Sequence, residues 1–220
     1  MAADNESETP AMSGPCGAAS SESSVTWELT RNDEDSSNPT YTLTISGTGA
    51  MADYDVGSNR APWYNSLLQK GATTTAYSSK TFVNITKVVI TSGVTHIGAY
   101  AFAYTTVSDI QIADGVTSIG KGAFLWANWL KNITIPSSVI NMHYDSKKNE
   151  YYNIFDGTFY LESVEISGTG SSYQVVQGGV LVGPVQNKTD EYIIINCPDN
   201  LGGGNTKEIT ADGFPTNTTM

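Results

Sequence analysis

Residues 107–135 read VSDIQIADGVTSIGKGAFLWANWLKNITI, one whole copy of a repeat followed by the start of the next. VSDIQI (107–112) and LKNITI (130–135) carry apolar residues at their first, fourth and sixth positions. Working outward, ITKVVI (85–90) and LESVEI (161–166) share the pattern, so Val88, Ile110, Ile133 and Val164 correspond, as do Ile90, Ile112, Ile135 and Ile166. The copies begin 22, 23 and 31 residues apart. A second block follows the first two copies, GVTHIGAYAF (93–102) and GVTSIGKGAF (115–124), aligning Val94 with Val116, Ile97 with Ile119 and Phe102 with Phe124. The third copy keeps Val139, Met142 and Phe155 but holds an insertion of eight residues within 143–153.

A six-residue block ending in two alternating apolar residues is a short strand with one buried face. Alone it cannot cover that face. Copies stacked about 4.8 Å apart align like side chains into ladders and satisfy each strand through its neighbours in a parallel sheet. The return path holds the shorter Val/Ile strand, and the Ala-Phe pair inserts a ring between coils. The expected architecture is a mostly β solenoid in which strands 85–90, 107–112, 130–135 and 161–166 pair in parallel and in register. Helix is expected only in short turns near Phe102, Phe124 and Phe155 and over residues 62–69.

GVTSIGKGAF followed by LKNITIPSSV resembles the BspA-like leucine-rich repeats of bacterial surface proteins. Upstream, Cys16-Gly17, VTWEL (25–29), YTLTISGTGAM (41–51) and APW (61–63) resemble the small β module that commonly precedes such repeats. Downstream, YQVVQGGVLV (173–182), YIIINCP (192–198) and TKEITADGF (206–214) resemble a longer repeat variant with an extra β-hairpin. The sequence departs from the pattern at the 143–153 insertion, at His143 where a Gly would follow the strand, at Cys197 before Pro198, and in QKGATTTAYSSKTF ahead of the first repeat. The resemblance implies a leucine-rich-repeat solenoid preceded by a small β module, and an adhesive surface role.

The resulting plan is a disordered acidic and Ser-rich tail (1–24), a β module (25–66), a linker (67–84) and a solenoid (85–220) with repeats 85–106, 107–129, 130–160 and 161–214. The tail assignment rests on composition: residues 1–35 hold eight acids against Arg31, and Ser, Ala and Glu cannot repay the entropy of ordering. Phe214 precedes Met220 by six residues, as Phe124 precedes Leu130, so the sequence stops where another strand is expected to begin, as in a truncated array. Cys16 and Cys197, at opposite ends of a linear stack, are expected not to bond.

Of 220 residues, 22 are acidic and 11 basic, a net charge of −11, which disfavours nucleic acid and anionic membranes as partners. Charged residues are 15%, below the usual level, while Ser and Thr fill about a fifth of the chain, the profile of a secreted or surface protein. No apolar run reaches the length of a membrane span, and the first residues lack the basic and apolar regions of a signal peptide, so a signal segment is expected to have been removed.

The sequence offers little chemistry. His96 and His143 are 47 residues apart and form no metal pattern with the cysteines, and no G-x-S-x-G elbow occurs for a Ser-His-Asp site. Asp53 with Asp55, or Glu162 with Glu165, are the nearest carboxylate pairs, of a kind expected by chance among 22 acids. SGTG at 46–49 and 167–170 reads as turns, not as a phosphate cradle. No catalytic residue, metal or cofactor is expected.

Binding is the remaining class. The second, third and fifth residues of each strand point away from the core, placing Lys87, Val89, Asp109, Gln111, Asn132, Thr134, Ser163 and Glu165 on one flat polar face. Tyr144, Tyr151 and Tyr152 on the insertion, beside Lys147 and Lys148, are expected to border it as aromatic anchors. Trp27 and Trp63 read as core, and Trp126 and Trp129 as flanking the second Phe turn. The first expectation is a non-enzymatic surface protein that holds an extracellular or host protein in an adhesin-like contact. The alternative is a carbohydrate-binding module of a glycan-handling assembly, favoured by exposed coplanar rings; an aromatic-poor sheet face favours protein.

Overall fold

The computed structural model describes residues 12–19, 24–33, 37–76, 80–142, 144–145, 150–151, 154–176, 180–184, 192–196 and 218–219. The chain opens with strands β1 (Ser13–Pro15), β2 (Val25–Arg31), β3 (Tyr41–Gly47) and β4 (Gly49–Ala50), then helix α1 (Pro62–Gln69). Strands β5 (Thr73–Ala76), β6 (Lys80–Val83), β7 (Ile85–Ile90), β8 (Val94–Ile97), β9 (Asp109–Ile112), β10 (Ser118–Ile119) and β11 (Asn132–Pro136) follow. After them come β12 (Tyr144–Asp145), β13 (Glu150–Tyr151), β14 (Ser163–Ser167), β15 (Gln174–Val176), β16 (Val180–Pro184), β17 (Tyr192–Asn196) and β18 (Thr218–Thr219).

The main sheet runs β1-β2-β3-β7-β9. In β2 and β3 strict alternation buries Val25, Trp27 and Leu29, then Tyr41, Leu43 and Ile45, and turns the Thr and Glu residues outward. The repeat strands pair in parallel as the apolar pattern predicts, Val88 opposite Ile110 and Ile90 opposite Ile112 between β7 and β9. The same holds for Ile133 opposite Val164 and Ile135 opposite Ile166 between β11 and β14. One expectation is corrected: β9 and β11 lie side by side but share no strand ladder, so the four repeat strands form two parallel pairs. The lapse falls where the return path lengthens, from four residues between Phe102 and Val107 to five between Phe124 and Leu130.

The second sheet, β10-β8-β4, stacks Ile119 on Ile97 and Ser118 on His96, and an isolated bridge carries it from Ser118 to Asn141. Between the two sheets the rings stack. Phe102 and Phe124 lie 5.7 Å apart and Phe124 and Phe155 5.5 Å apart, with planes 24° and 15° from parallel. Trp63 heads this stack, 6.1 Å from Phe102 at 23°.

Helix α1 occupies 62–69, the span expected for it. Pro62 suits its first turn, where the missing N–H has no intrahelical acceptor, and it buries Trp63, Tyr64 and Leu67. Residues 67–84 hold the end of this helix and the antiparallel hairpin β5–β6, which buries Phe82 and Val83. Within 1–24, β1 pairs with β2 and buries Cys16, with the Cys16 N–H donating to Val25 O and the Leu29 N–H to Met12 O. Those bonds repay the ordering that composition alone does not support. At the other end β15, β16 and β17 pair antiparallel, with β18 parallel to β17. Cys16 is a free thiol; Cys197 and the TKEITADGF segment lie outside the described residues.

Candidate functional site

Register places the outward side chains in two rows. The first runs Thr30, Thr42, Lys87, Asp109 and the second Glu28, Thr44, Val89, Gln111. On the other pair of strands Asn132 sits opposite Ser163 and Thr134 opposite Glu165, extending the same surface. Neighbouring rungs neutralise one another. Lys87 Nζ lies 2.9 Å from Asp109 Oδ2, Lys131 Nζ 3.5 Å from Glu162 Oε1, and Ser163 Oγ donates to Asn132 Oδ1 at 2.7 Å. The face is flat, polar, paired within itself at Lys87–Asp109 and Lys131–Glu162, and free of aromatic rings over these positions.

Thr26, Glu28, Thr30, Thr42, Thr44 and Ser46 belong to this face and were missed in the sequence, where β2 and β3 read as part of a separate module. Asn32 ties the two parts together: its Oδ1 accepts the Thr42 hydroxyl at 2.7 Å, and its Nδ2 donates to Thr40 and Thr86 hydroxyls, each at 3.2 Å. The signal that could have found them is the alternation of YTLTIS, which has the polar period of the repeat strands. On the insertion, β12 and β13 pair antiparallel with Tyr144 directly opposite Tyr151; Tyr152 and His143 lie outside the described residues.

A constellation without a sequence motif does assemble in space. His96 Nδ1 is 2.7 Å from Ser118 Oγ and His96 Nε2 is 3.2 Å from Asp53 Oδ1. A carboxylate only accepts, so in the neutral imidazole Nε2 carries the proton and Nδ1 accepts the Ser118 hydroxyl. Acyl transfer also needs a pair of N–H donors aimed at a developing oxyanion, and among the described residues those flanking Ser118 are already engaged. The Thr117, Ile119 and Gly120 N–H groups around Ser118 are given to Thr95, Asn141 and Ile97 carbonyls of adjoining coils. The trio is therefore a rung linking the module through Asp53 to the first and second coils. Among the described residues no three His, Cys, Asp or Glu side chains gather as for a metal, and no helix is long and apolar enough to cross a membrane.

The opposite edge, where the coils turn, holds the strain. Tyr100, Tyr104 and Trp126 have φ of 53°, 58° and 58°, left-handed values that cost a non-Gly residue about 1–2 kcal/mol. By repeat alignment Gly157 takes the place of Trp126 and Tyr104, and Gly122 that of Tyr100; both glycines are left-handed too. Each ring drapes over the glycine of the next coil: a Cβ at Gly122 would lie 2.6 Å from the Tyr100 ring, and one at Gly157 2.7 Å from the Trp126 indole. Trp126 meets Phe159 edge-on at 84°, and Trp129 meets Phe82 at 71°, so neither pair is coplanar.

Residues 72–172 match the BspA type leucine rich repeat region, in six copies. Among solved structures, a leucine-rich repeat protein from Eubacterium ventriosum is 23% identical, with a TM-score of 0.41, 86% of this chain and 51% of that one being covered. A leucine rich cell surface protein from Faecalibacterium prausnitzii is 15% identical, with a TM-score of 0.40 and coverage of 79% and 60%. The pneumococcal vaccine antigen PcpA is 14% identical, with a TM-score of 0.31 and coverage of 77% and 57%. The chain thus spans between 51% and 60% of the length of these structures. No curated protein is detectably similar to it. The similarity to the BspA-type leucine-rich-repeat family thus lies in residues 72–172.

Proposed function

We propose that this chain is a secreted or surface-displayed, non-enzymatic segment that holds another protein against its main sheet face, as an adhesin does. One observation carries the reading: the outward rows from Thr30 and Glu28 to Asp109 and Gln111 form a broad polar surface on which Lys87 and Asp109 are paired and Thr30, Thr42 and Thr44 supply short side chains. Such a face buries area without a pocket and gives modest affinity through complementarity, whereas chemistry on a small molecule needs concavity and convergent groups. The aromatic-poor composition of the face favours a protein partner over a sugar. In this reading the insertion residues Tyr144, Tyr151 and Tyr152 are the candidates for anchoring rings.

The test begins with surface plasmon resonance of the purified chain against a panel of extracellular and host proteins. With a partner in hand, Lys131→Glu, Glu165→Lys and deletion of residues 144–152 are each compared with the parent. The deletion is expected to weaken binding by about tenfold or more, as loss of one or two hot-spot rings does. Unchanged affinity in all three variants moves the contact off this face.

A further inference from the structure

On the turn edge, cations and rings alternate. The Arg60 guanidinium lies 4.3 Å from the Tyr64 ring centroid and 5.8 Å from that of Tyr104; Lys80 Nζ lies 4.9 Å from Tyr104 and 4.9 Å from Trp126. Two like charges therefore sit within 5.8 Å of the same ring centroid, and neither is ion-paired among the described residues. Each is held by the rings it touches and keeps charge and N–H donors to offer a further acceptor. In a chain of net charge −11 a bare positive pair is also out of keeping with the surroundings.

A small concavity opens beside Arg60, lined by Arg60, Tyr64, Tyr100, Tyr104 and Asp55; Lys80 stands outside that lining, against the Tyr104 hydroxyl. The Asp55 carboxylate is turned to its own loop, with Oδ1 accepting the Gly57 and Asn59 N–H groups at 2.6 and 3.0 Å. Tyr64 donates its hydroxyl to Thr81 O, and the Tyr104 hydroxyl accepts Lys80 Nζ at 2.9 Å. That leaves the Tyr104 proton and the Tyr100 hydroxyl without partners among the described residues. Tyr100 and Tyr104 are two of the three aromatic residues in the left-handed conformation, a cost that clusters at binding sites.

We propose that Arg60 and Lys80, with the phenols of Tyr100 and Tyr104 between them, bind an acidic sugar unit of a glycan. A carboxylate takes charge-assisted hydrogen bonds from Arg60 at the concavity, and ring hydroxyls meet the two phenols and Lys80. Trp126 lies beside Lys80, and with the 43% exposed Phe159 packed on it offers apolar surface to the C–H groups of an adjoining sugar. The concavity holds about 10 Å³, so only the carboxylate enters it and the sugar ring lies on the surface outside. This site is separate from the sheet face and does not depend on the protein-binding reading.

The test is saturation-transfer NMR and titration of the whole chain with galacturonic acid and N-acetylneuraminic acid, against galactose and inorganic sulfate. At least one acidic sugar is expected to bind, galactose and sulfate at least about tenfold more weakly, and Arg60→Gln and Lys80→Gln to weaken the acidic sugar by about tenfold each. Equal binding of galactose overturns the role of the cations, and equal binding of sulfate overturns the sugar. Unchanged binding in both variants, or no binding of either acid, overturns the site. Should a variant fail to fold, the Arg60 Nε–H resonance of the parent decides: it shifts on titration with the bound acid if the site is right and stays still if it is not.

Discussion

The β module and the first coil, residues 85–106, hold neighbouring places in one stack and fill them differently. Each gives a strand to the main sheet, β3 and β7, and a ring to the stack, Trp63 and Phe102. The coil offers its ring from a tight turn. The module offers it from a helix, encloses it with Trp27 at 6.1 Å and Tyr54 at 5.5 Å, and fixes it by donating Trp63 Nε1–H to Ala101 O at 3.0 Å. Beyond β3 the pairing turns antiparallel through β2 and β1, which ends the parallel propagation. A repeat array needs such an end, because an open parallel edge invites another chain. The module is the array's cap, and it shares its core with the coils it closes.

Trp63→Ala tests that sharing most severely. A large buried ring replaced by Ala costs about 3–5 kcal/mol, and since Trp63 touches both regions the loss is expected to appear in both together. Urea unfolding followed by circular dichroism and by tryptophan fluorescence is expected to give one transition, shifted to lower urea in both signals. If the dichroism of the coils keeps its midpoint, the module and coils are separate cores. Phe155→Ala serves as the comparison, a similar truncation deeper in the stack.

Gly98→Ala strikes the same seam from the backbone side. A Cβ there would lie 1.8 Å from the Ala52 carbonyl oxygen, a backbone atom that moves only if the module moves. Overpacking of this sort costs about 1–3 kcal/mol. A smaller loss, measured by the same unfolding curves, would mean that the module rides loosely on the first coil.

The difference in spelling also governs what the sequence reveals. The registers of β7 with β9 and β11 with β14 are legible because identical apolar positions recur at fixed spacing, and only one register buries them all. Strand β3 escapes because its apolar residues, Tyr41, Leu43 and Ile45, are spaced one residue more tightly than Ile85, Val88 and Ile90. The pairing absorbs the offset as a bulge between Tyr41 and Thr42. A one-residue bulge hides the strand from repeat alignment while leaving it in the sheet. The outward residues Lys87 to Glu165 could be named for the same reason as the core. The meeting of Arg60, Lys80 and Tyr104 could not, since it depends on a helix and a hairpin folding back on the coil, with no spacing to announce it.

Alkaline pH is expected to weaken the module before the coils. Burial pushes the Cys16 thiol up to about 12, and burial, with smaller contributions from the Cys16 and Asp53 charges, raises the Tyr54 phenol as well. The two groups adjoin, the Tyr54 hydroxyl lying 3.4 Å from Cys16 O. A proton held more tightly in the folded state stabilises it fully below the unfolded pKa and is lost as pH rises through the folded one. The stability from Cys16 is therefore present at neutral pH and fades from about pH 9 toward about 12. Midpoints of unfolding between pH 7 and about 11 are expected to fall, and Cys16→Ala to flatten that fall. Native Cys16 is also expected to resist iodoacetamide at pH 8, since the thiolate is the reactive form; rapid alkylation in the folded chain would contradict its burial in the module.

The smallest effect belongs to the rung that crosses the seam. His96 touches Asp53 of the module on one side and Ser118 of the second coil on the other, while Asp53 Oδ1 also accepts the Ala99 N–H at 2.7 Å. Removing the imidazole frees two hydrogen bonds, but Asp53 is solvent-exposed and keeps its backbone donor, so little is left unsatisfied. His96→Ala is expected to cost about 1 kcal/mol, the net worth of a hydrogen bond or two in partly exposed surroundings. A double-mutant cycle of His96→Ala with Ser118→Ala isolates the coil side, and one with Asp53→Asn the module side. If the rung ties the cap to the array, both couplings are positive and similar, because one tautomer serves both partners at once. A coupling confined to Ser118 would make His96 a contact between coils alone. The seam would then rest on Trp63 and the close approach at Gly98, and the cap would be held by packing without a polar tie.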